Sequence, residues 1–138
     1  MPIPTTAYAH IRLTVTDIAR SRAFYDEVFG LPVALALPED ADEETRQQLS
    51  FLLGGVIYQL GDSLLGLRPA GEDAFSEDRT GLDHLSFRVD SRSDLVTAVD
   101  LLDERGVAHD GIKDIGAGYI LEFRDPDNIA LELYAPQQ

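Results

Sequence analysis

The sequence predicts an α+β fold in which two tandem βαβββ modules form a cupped, mostly antiparallel sheet around a cavity. The same order of signals occurs twice: an alternating strand, an amphipathic helix and a glycine that ends the helix. His10 and His84 hold equivalent places 74 positions apart, and Gly30 and Gly106 lie 76 positions apart. Because shorter strand signals follow each glycine, both halves are predicted to share one topology.

The first module is predicted over residues 5–70. Residues 8–15 alternate between polar and apolar side chains, which predicts a half-buried strand. Thr16 and Asp17 are N-cap candidates for the next helix, and Pro32 follows the glycine that ends it. Further strands are predicted at 33–37, 51–60 and 64–67, and the acidic insertion at 38–50 is either a loop or a short surface helix.

The second module is predicted over residues 80–136, after a linker at 71–81. Polar and apolar side chains alternate from His84 to Val89, and Ser91 and Ser93 are capping candidates for the helix that follows. Strands are then predicted at 107–112, 119–123 and 129–134, with a tight turn at 125–128 between the last two. The whole chain, 1–138, is predicted to be one domain made of these two modules.

Composition and charge exclude several classes of function. The chain has 138 residues, 44% of them apolar, with 11 basic and 25 acidic side chains and a formal net charge of −14. Nucleic acid is not an expected partner, because phosphate binding needs clustered Lys and Arg. The chain has no cysteine, which excludes disulfides, thiolate metal sites and a cysteine nucleophile. No signal peptide and no membrane-spanning run are visible, so we expect a cytoplasmic protein without membrane partners.

Strand alternation predicts that one histidine of each module and one acidic residue of the last strand lie on the faces away from the helices. These residues are His10, His84 and Glu132. Two imidazoles and a carboxylate leave coordination positions open and suit Fe²⁺, Mn²⁺, Zn²⁺ or a related divalent ion such as Ni²⁺. The alternative is that each side chain is solvated or hydrogen-bonded. The equivalent places of the two histidines in the repeat favour the metal site.

Three stretches of the chain carry a resemblance to a known family. They are AHIRLTVTDIARSRAFYDEVFGLPV, GLDHLSFRVD and EFRDPDNIALELYAP. The chain resembles the vicinal oxygen chelate superfamily, which includes glyoxalase I, bleomycin-resistance proteins, fosfomycin-resistance enzymes and extradiol dioxygenases. The resemblance implies a divalent metal held by residues on the first and last strand of each module, and His10, His84 and Glu132 match three of those positions.

The fourth ligand position that the resemblance implies falls on Gly66, with Gln59 or Asp62 as candidate substitutes. The chain thus departs from the four-ligand glyoxalase and epimerase pattern, which argues against simple isomerase chemistry. The three-ligand pattern resembles that of fosfomycin-modifying enzymes and extradiol dioxygenases. Glu122, however, stands where the extradiol pattern has a tyrosine, and a phosphonate substrate needs a basic clamp, for which only Arg12, Arg88 and Arg68 are candidates. Neither reaction is therefore assigned.

Glu122 is the candidate catalytic residue, because a carboxylate near a metal ion can be tuned for general acid/base work. The alternative is that Glu122 is a surface partner of Arg124 or Lys113. The candidate substrate-binding residues are Arg12, Arg88 and Tyr134: the arginines for an anionic group, the tyrosine as pocket lining.

Tyr8 and Tyr58 are further candidates for lining the pocket. His109 is expected at the surface, because it lies in a glycine-rich turn signal.

The intact set of His10, His84 and Glu132 favours a metal-dependent enzyme, because a protein that only binds a drug has no need of it. The expected substrate is a small oxygenated molecule chelated to the metal, and the reaction is that of a dioxygenase, a lyase or a resistance-type transferase. The alternative is a protein that sequesters an antibiotic or toxin without catalysis, a role that the negative charge would suit. Family members of this length usually form homodimers, so a homodimer is expected; whether each site lies within one chain or across the interface stays open.

Overall fold

The computed structural model describes all 138 residues, which divide into two compact units, Met1–Glu72 and Asp73–Gln138. We call them the N-terminal unit and the C-terminal unit. The N-terminal unit contains strands β1 (His10–Thr14), β2 (Val33–Ala36), β3 (Val56–Leu60) and β4 (Ser63–Arg68), helices α1 (Ile18–Val28) and α2 (Glu43–Gln48), and a 3₁₀ turn at Ser50–Leu52. Its strands form one sheet in the order β1-β4-β3-β2.

The C-terminal unit repeats this arrangement without the short second helix. It contains strands β5 (Leu85–Arg88), β6 (His109–Asp114), β7 (Gly118–Arg124) and β8 (Ala130–Pro136), and helix α3 (Arg92–Glu104). Its sheet has the order β5-β8-β7-β6. In each sheet the first strand pairs in parallel with the last, and the two other pairings are antiparallel.

The core of each unit lies between its sheet and its long helix. Alternation along the strands decides which side chains enter it: β5 and β8 bury every second residue, and the residues between them are half-buried or exposed. The fully buried apolar side chains include Val15, Tyr25, Leu65 and Leu67 in the N-terminal unit, and Leu95, Leu102, Leu121 and Leu131 in the C-terminal unit. The helices lie on one side, so the polar face of each sheet is the one that can carry a site.

Local signals explain where the long helices begin and end. Asp17 is the N-cap of α1, and its side chain accepts a hydrogen bond from the Arg20 backbone N–H at 3.1 Å. Ser91 and Asp94 form a capping box at the start of α3. Gly30 and Gly106 follow the two helices with φ values of 59° and 69°, a backbone conformation that glycine adopts without strain.

The structure confirms the predicted α+β class and the two βαβββ modules, and it corrects some element bounds. The predicted strand at 51–60 begins only at Val56, because the chain first makes a 3₁₀ turn and then passes through left-handed backbone at Leu53 and Gly54. The acidic insertion carries a short helix, capped by Asp42. None of the helices combines the length and the apolar character needed to cross a bilayer.

Candidate metal and substrate site

His84 and Glu132 form a close pair on the polar face of the C-terminal sheet. His84 directly precedes β5, and Glu132 occupies the centre of β8, which pairs in parallel with β5. His84 Nε2 lies 2.8 Å from Glu132 Oε2. The His84 side chain is 47% exposed, whereas that of Glu132 is 13% exposed. Two of the three predicted metal ligands therefore lie side by side in this unit.

Asp83 contacts the other nitrogen of the same imidazole ring. Its Oδ1 lies 2.7 Å from His84 Nδ1, so each ring nitrogen faces a carboxylate. The pKa of His84 is raised above its usual value, chiefly by the hydrogen bond to Asp83, and the negative charge of Glu132 adds to the effect. Asp83 is not among the site residues predicted from the sequence, although it lies next to His84 in the chain.

Glu122 faces Glu132 from the neighbouring strand. The two residues are directly opposite each other in the antiparallel β7–β8 register. Like charges placed opposite each other destabilise a sheet, and a cation between them relieves the repulsion. Lys113 lies near, with Nζ 3.7 Å from Glu122 Oε1, but both side chains are about half exposed, so the pair contributes little stability.

A cavity of about 540 Å³ opens at this face, and we call it the C-terminal cavity. Its polar lining consists mainly of acidic side chains, with two histidines and one arginine. The charged and titratable lining residues are Glu77, Asp83, His84, His109, Asp110, Glu122, Arg124 and Glu132. This volume fits a small molecule.

The arginine of the C-terminal cavity is already paired. Arg124 makes a bidentate ion pair with Glu77 and also donates to the Asn128 carbonyl oxygen at 3.1 Å. The carboxyl of Glu77 has its pKa lowered to about 2 by this hydrogen-bonded guanidinium. Of the two surface partners that the alternative interpretation gave Glu122, Arg124 is paired with Glu77, whereas Lys113 does contact Glu122.

His109 is not the surface residue that the sequence analysis expected. It begins β6, its side chain is only 14% exposed, and it lies in the wall of the C-terminal cavity. Its Nε2 contacts Asp103 Oδ1 at 2.7 Å, and its Nδ1 accepts a hydrogen bond from the Gly111 backbone N–H at 3.1 Å. Both ring nitrogens are therefore used within the fold, which ties the end of α3 to β6.

Arg88 and Tyr134, both predicted to bind substrate, contact each other. The Arg88 guanidinium carbon lies 5.9 Å from the centre of the Tyr134 ring, within the range of a cation–π contact. The Tyr134 hydroxyl donates to the Ala117 carbonyl oxygen at 3.0 Å. Neither residue lines the C-terminal cavity.

The N-terminal unit has a smaller cavity of about 250 Å³ on the corresponding face, which we call the N-terminal cavity. His10 and Arg12 line it together with Phe51 and Gly66. Arg12 Nη2 donates to the Phe51 carbonyl oxygen at 2.7 Å, and the guanidinium carbon lies 5.6 Å from the centre of the Phe51 ring. The Arg12 Nε atom is buried without a hydrogen-bond partner.

The strand registers support the equivalence between Gly66 and Glu132. Arg12 pairs with Gly66 in the first parallel pair, and Ser86 pairs with Glu132 in the second; Arg12 and Ser86 each come two residues after the equivalent histidines. A Cβ at Gly66 would come within 2.9 Å of Arg12 Cγ. The arginine stem thus passes over the position where the family pattern has a fourth ligand.

The remaining sequence candidates have other roles. Tyr58 does not line a pocket: it is 1% exposed, and its hydroxyl donates to Asp26 Oδ1 at 2.8 Å. Gln59, a candidate substitute ligand, donates to the carbonyl oxygens of Gly61 and Ser63 and so holds the β3–β4 turn. Tyr8 is 83% exposed.

The donor types at His84 and Glu132 fit a divalent metal ion. With bonds of about 2.0–2.2 Å, two adjacent ligand atoms are separated by about 3 Å, close to the 2.8 Å between Nε2 and Oε2. Within either unit, no group of three or more His, Asp or Glu side chains is arranged to hold a metal. The C-terminal unit by itself therefore offers two adjacent candidate donors, His84 and Glu132, which we call a half-site.

Comparisons with known proteins agree with this fold. The model of the glyoxalase/bleomycin resistance protein/dioxygenase superfamily matches residues 7–133. The chain is 30% identical over 127 residues to the uncharacterized protein YaeR of Escherichia coli strain K12, covering 91% of this chain and 92% of that protein. The chain therefore belongs to the glyoxalase/bleomycin resistance protein/dioxygenase superfamily.

Solved structures show the same fold. A glyoxylase/bleomycin resistance protein/dioxygenase domain from Frankia sp. EAN1pec has a TM-score of 0.76 and 31% identity, covering 96% of this chain and 99% of that one. A mutant of the fosfomycin resistance protein FosX from Listeria monocytogenes has a TM-score of 0.72 and 15% identity, covering 99% and 95%. That FosX structure was solved in complex with Mn(II) and 1S,2S-dihydroxypropylphosphonic acid.

Proposed function

We propose that this protein is a metal-dependent enzyme that acts on a small oxygenated molecule chelated to a divalent metal ion. The observation that carries the proposal is the His84–Glu132 pair, 2.8 Å apart in a cavity of about 540 Å³, with a second carboxylate on the adjacent strand. Imidazole and carboxylate are the donor types that hold catalytic Zn²⁺, Mn²⁺, Fe²⁺ and Ni²⁺. The superfamily and the Mn(II) complex of FosX support the same class of cofactor.

In this proposal His84 and Glu132 are metal ligands. When bound, the metal polarises the substrate oxygens and stabilises negative charge that develops on them. The prediction that His10 supplies a third ligand stays a prediction. Gly66 cannot supply a fourth ligand, because it has no side chain, and this favours dioxygenase, lyase or transferase chemistry over isomerase chemistry.

Glu122 holds or moves the proton in this proposal. Its side chain is 45% exposed, it lines the C-terminal cavity, and it lies directly opposite Glu132 across the β7–β8 pair. A carboxylate in this place can accept a proton from a metal-chelated substrate and return it to the product.

The test of the metal proposal is a titration of the metal-free protein with Mn²⁺, Ni²⁺ and Zn²⁺, followed by calorimetry. We expect about one ion per chain for the wild type, and a loss of affinity of at least about tenfold for His84→Ala, because that change removes a ligand. His10→Ala, measured in the same way, tests the third ligand. His109→Gln is the matched control, because the ring of His109 is already hydrogen-bonded at both nitrogens. A wild type that binds none of the three ions would refute the proposal.

A second candidate function is sequestration of a cationic drug or toxin without catalysis. The observation that favours it is the lining of the C-terminal cavity, where carboxylates outnumber basic side chains and the one arginine is paired with Glu77. Titration with bleomycin separates the two functions. Binding that is unchanged in His84→Ala would favour sequestration, whereas binding that needs the metal ligands would favour the enzyme.

We also propose that the chain forms a homodimer, as expected for this superfamily. Several apolar side chains of the N-terminal unit are 39–83% exposed, namely Tyr8, Val33, Leu37, Phe51 and Leu53. Such exposure is compatible with a protein interface. Light scattering tests this proposal, since the monomer has a mass of 15.2 kDa and the dimer twice that. A monomer at micromolar concentration would contradict it. The cytoplasmic location stays a prediction, to be tested by cell fractionation.

A further inference from the structure

We propose that Asp83 is a positioning residue for the metal ligand His84. It holds the imidazole ring so that Nε2, not Nδ1, faces Glu132 and the metal. This inference rests on the proposed function, because it assigns a role within the same site. Asp83 is not one of the metal ligands predicted from the sequence.

Each nitrogen of the His84 ring contacts a different carboxylate. Asp83 Oδ1 lies 2.7 Å from Nδ1, and Glu132 Oε2 lies 2.8 Å from Nε2. The two nitrogens point to different carboxylates, and a 180° flip of the ring would put Cδ2 and Cε1 in their places and break both contacts. Asp83 therefore fixes the orientation in which Nε2 faces Glu132.

The exposed ring of His84 needs such a restraint. The His84 side chain is 47% exposed and precedes its strand, so the surrounding core does not fix its rotamer by close packing. An exposed imidazole loses conformational freedom when it binds a metal, and that loss weakens binding. A hydrogen bond that orients the ring beforehand reduces this cost.

The contact with Asp83 also affects which nitrogen of the His84 ring carries the proton. A neutral imidazole carries one N–H, and a metal binds the nitrogen without it. When the N–H is at Nδ1 and donates to Asp83 Oδ1, the Nε2 lone pair is the one left for a metal ion next to Glu132. Carboxylates in this role typically change metal affinity by about 10–100-fold.

The experiment compares zinc affinity of the wild type, Asp83→Ala, Asp83→Asn and Asp78→Ala, measured by competition with a chelator. Asp78 is the matched control, because it is an exposed aspartate of the same unit and its loss removes the same charge. We expect Asp83→Ala to bind Zn²⁺ about 10–100-fold more weakly. Asp83→Asn keeps an acceptor oxygen and should recover part of that loss. Asp78→Ala should change affinity by less than about twofold.

A spectroscopic measurement separates positioning from a general structural effect. In zinc-loaded wild type, the Nδ1–H signal of His84 should be visible by ¹H–¹⁵N NMR, protected from exchange by Asp83, and it should be lost in Asp83→Ala. Equal zinc affinity in wild type and Asp83→Ala, or an equal loss in Asp78→Ala, would overturn the inference alone. Failure of the wild type to bind Zn²⁺, Mn²⁺ or Ni²⁺ would instead overturn the proposed function together with it.

Discussion

Replacing Tyr58 by phenylalanine tests how the long helix of the N-terminal unit is fastened to its sheet. Tyr58 lies on β3, is 1% exposed, and donates its hydroxyl proton to Asp26 Oδ1 on α1 at 2.8 Å. Hydrogen bonds to charged groups contribute about 1.5–3 kcal/mol. The Tyr58→Phe variant keeps the ring and loses the hydroxyl that makes this bond, so we expect its free energy of unfolding at pH 7 to fall by about that amount.

The burial and hydrogen bonding of Tyr58 also predict how the stability of the protein changes at alkaline pH. The pKa of Tyr58 is raised from 10.0 to about 12, first because burial disfavours the phenolate and second because of the hydrogen bond to Asp26. The folded protein therefore holds the proton more tightly than the unfolded chain. The resulting stabilisation is complete below pH 10 and is lost as pH rises from 10 toward 12. That rise in pKa corresponds to roughly 2–3 kcal/mol.

Urea unfolding at pH 7, 9, 10 and 11 measures both effects. The difference in stability between the wild type and Tyr58→Phe should be constant up to about pH 9.5 and should then shrink, because only the wild type loses the contribution of this phenol. Tyr8→Phe is the matched control, since Tyr8 is 83% exposed, and it should follow the wild type at every pH. A Tyr58→Phe variant as stable as the wild type at pH 7, with a parallel alkaline decline, would refute the reasoning.

Three further predictions concern other parts of the chain. Glu77→Gln should flatten the loss of stability between pH 4.5 and 2 in urea titrations, because the lowered pKa of Glu77 makes its ion pair stabilising above that range and absent below it; an unchanged acid limb would contradict this. Gly55→Ala should cost about 3 kcal/mol or more in thermal or urea unfolding, because the new Cβ would lie 2.0 Å from the Leu67 carbonyl oxygen. Gly66→Glu should change zinc affinity by less than about twofold, because the Arg12 stem, 2.9 Å from the position of the new Cβ, occupies the space that a ligating carboxylate needs; a tenfold gain would show that the position can ligate.

The fold could be predicted from local patterns because each signal acted over a few residues. Alternation with period two, the caps at Asp17 and Ser91 and the glycines after the helices all depend on neighbours in the chain. The strand predicted at 51–60 begins only at Val56, because no local signal marked the break before it. Its apolar residues suit a strand, but the left-handed backbone at Leu53 breaks it, and an ordinary leucine gives no sign of such a conformation.

The candidate site was predicted less completely, because its contacts join residues far apart in the sequence. Alternation was enough to assign His84 and Glu132 to one face, and the structure brings them to 2.8 Å. The ion pair of Arg124 with Glu77, 47 positions apart, had no local signal; it leaves Lys113 as the basic partner of Glu122. His109 seemed to belong to a turn, whereas a hydrogen bond to Asp103 holds it in a cavity wall.

The paired residues Arg12 and Gly66 on β1 and β4 are equivalent to Ser86 and Glu132 on β5 and β8, but the large and the small side chain have changed places. In one unit a long basic side chain lies across a residue without a side chain; in the other a small hydroxyl residue, Ser86, lies across Glu132. In each strand pair only one of the two residues carries a long side chain, namely Arg12 in the first and Glu132 in the second. Conversion of the first half into a ligating half therefore requires two coordinated replacements, a shorter residue at 12 and an acidic one at 66. Either replacement alone leaves a void or an overlap, so a designer who seeks a second half-site must change both strands together.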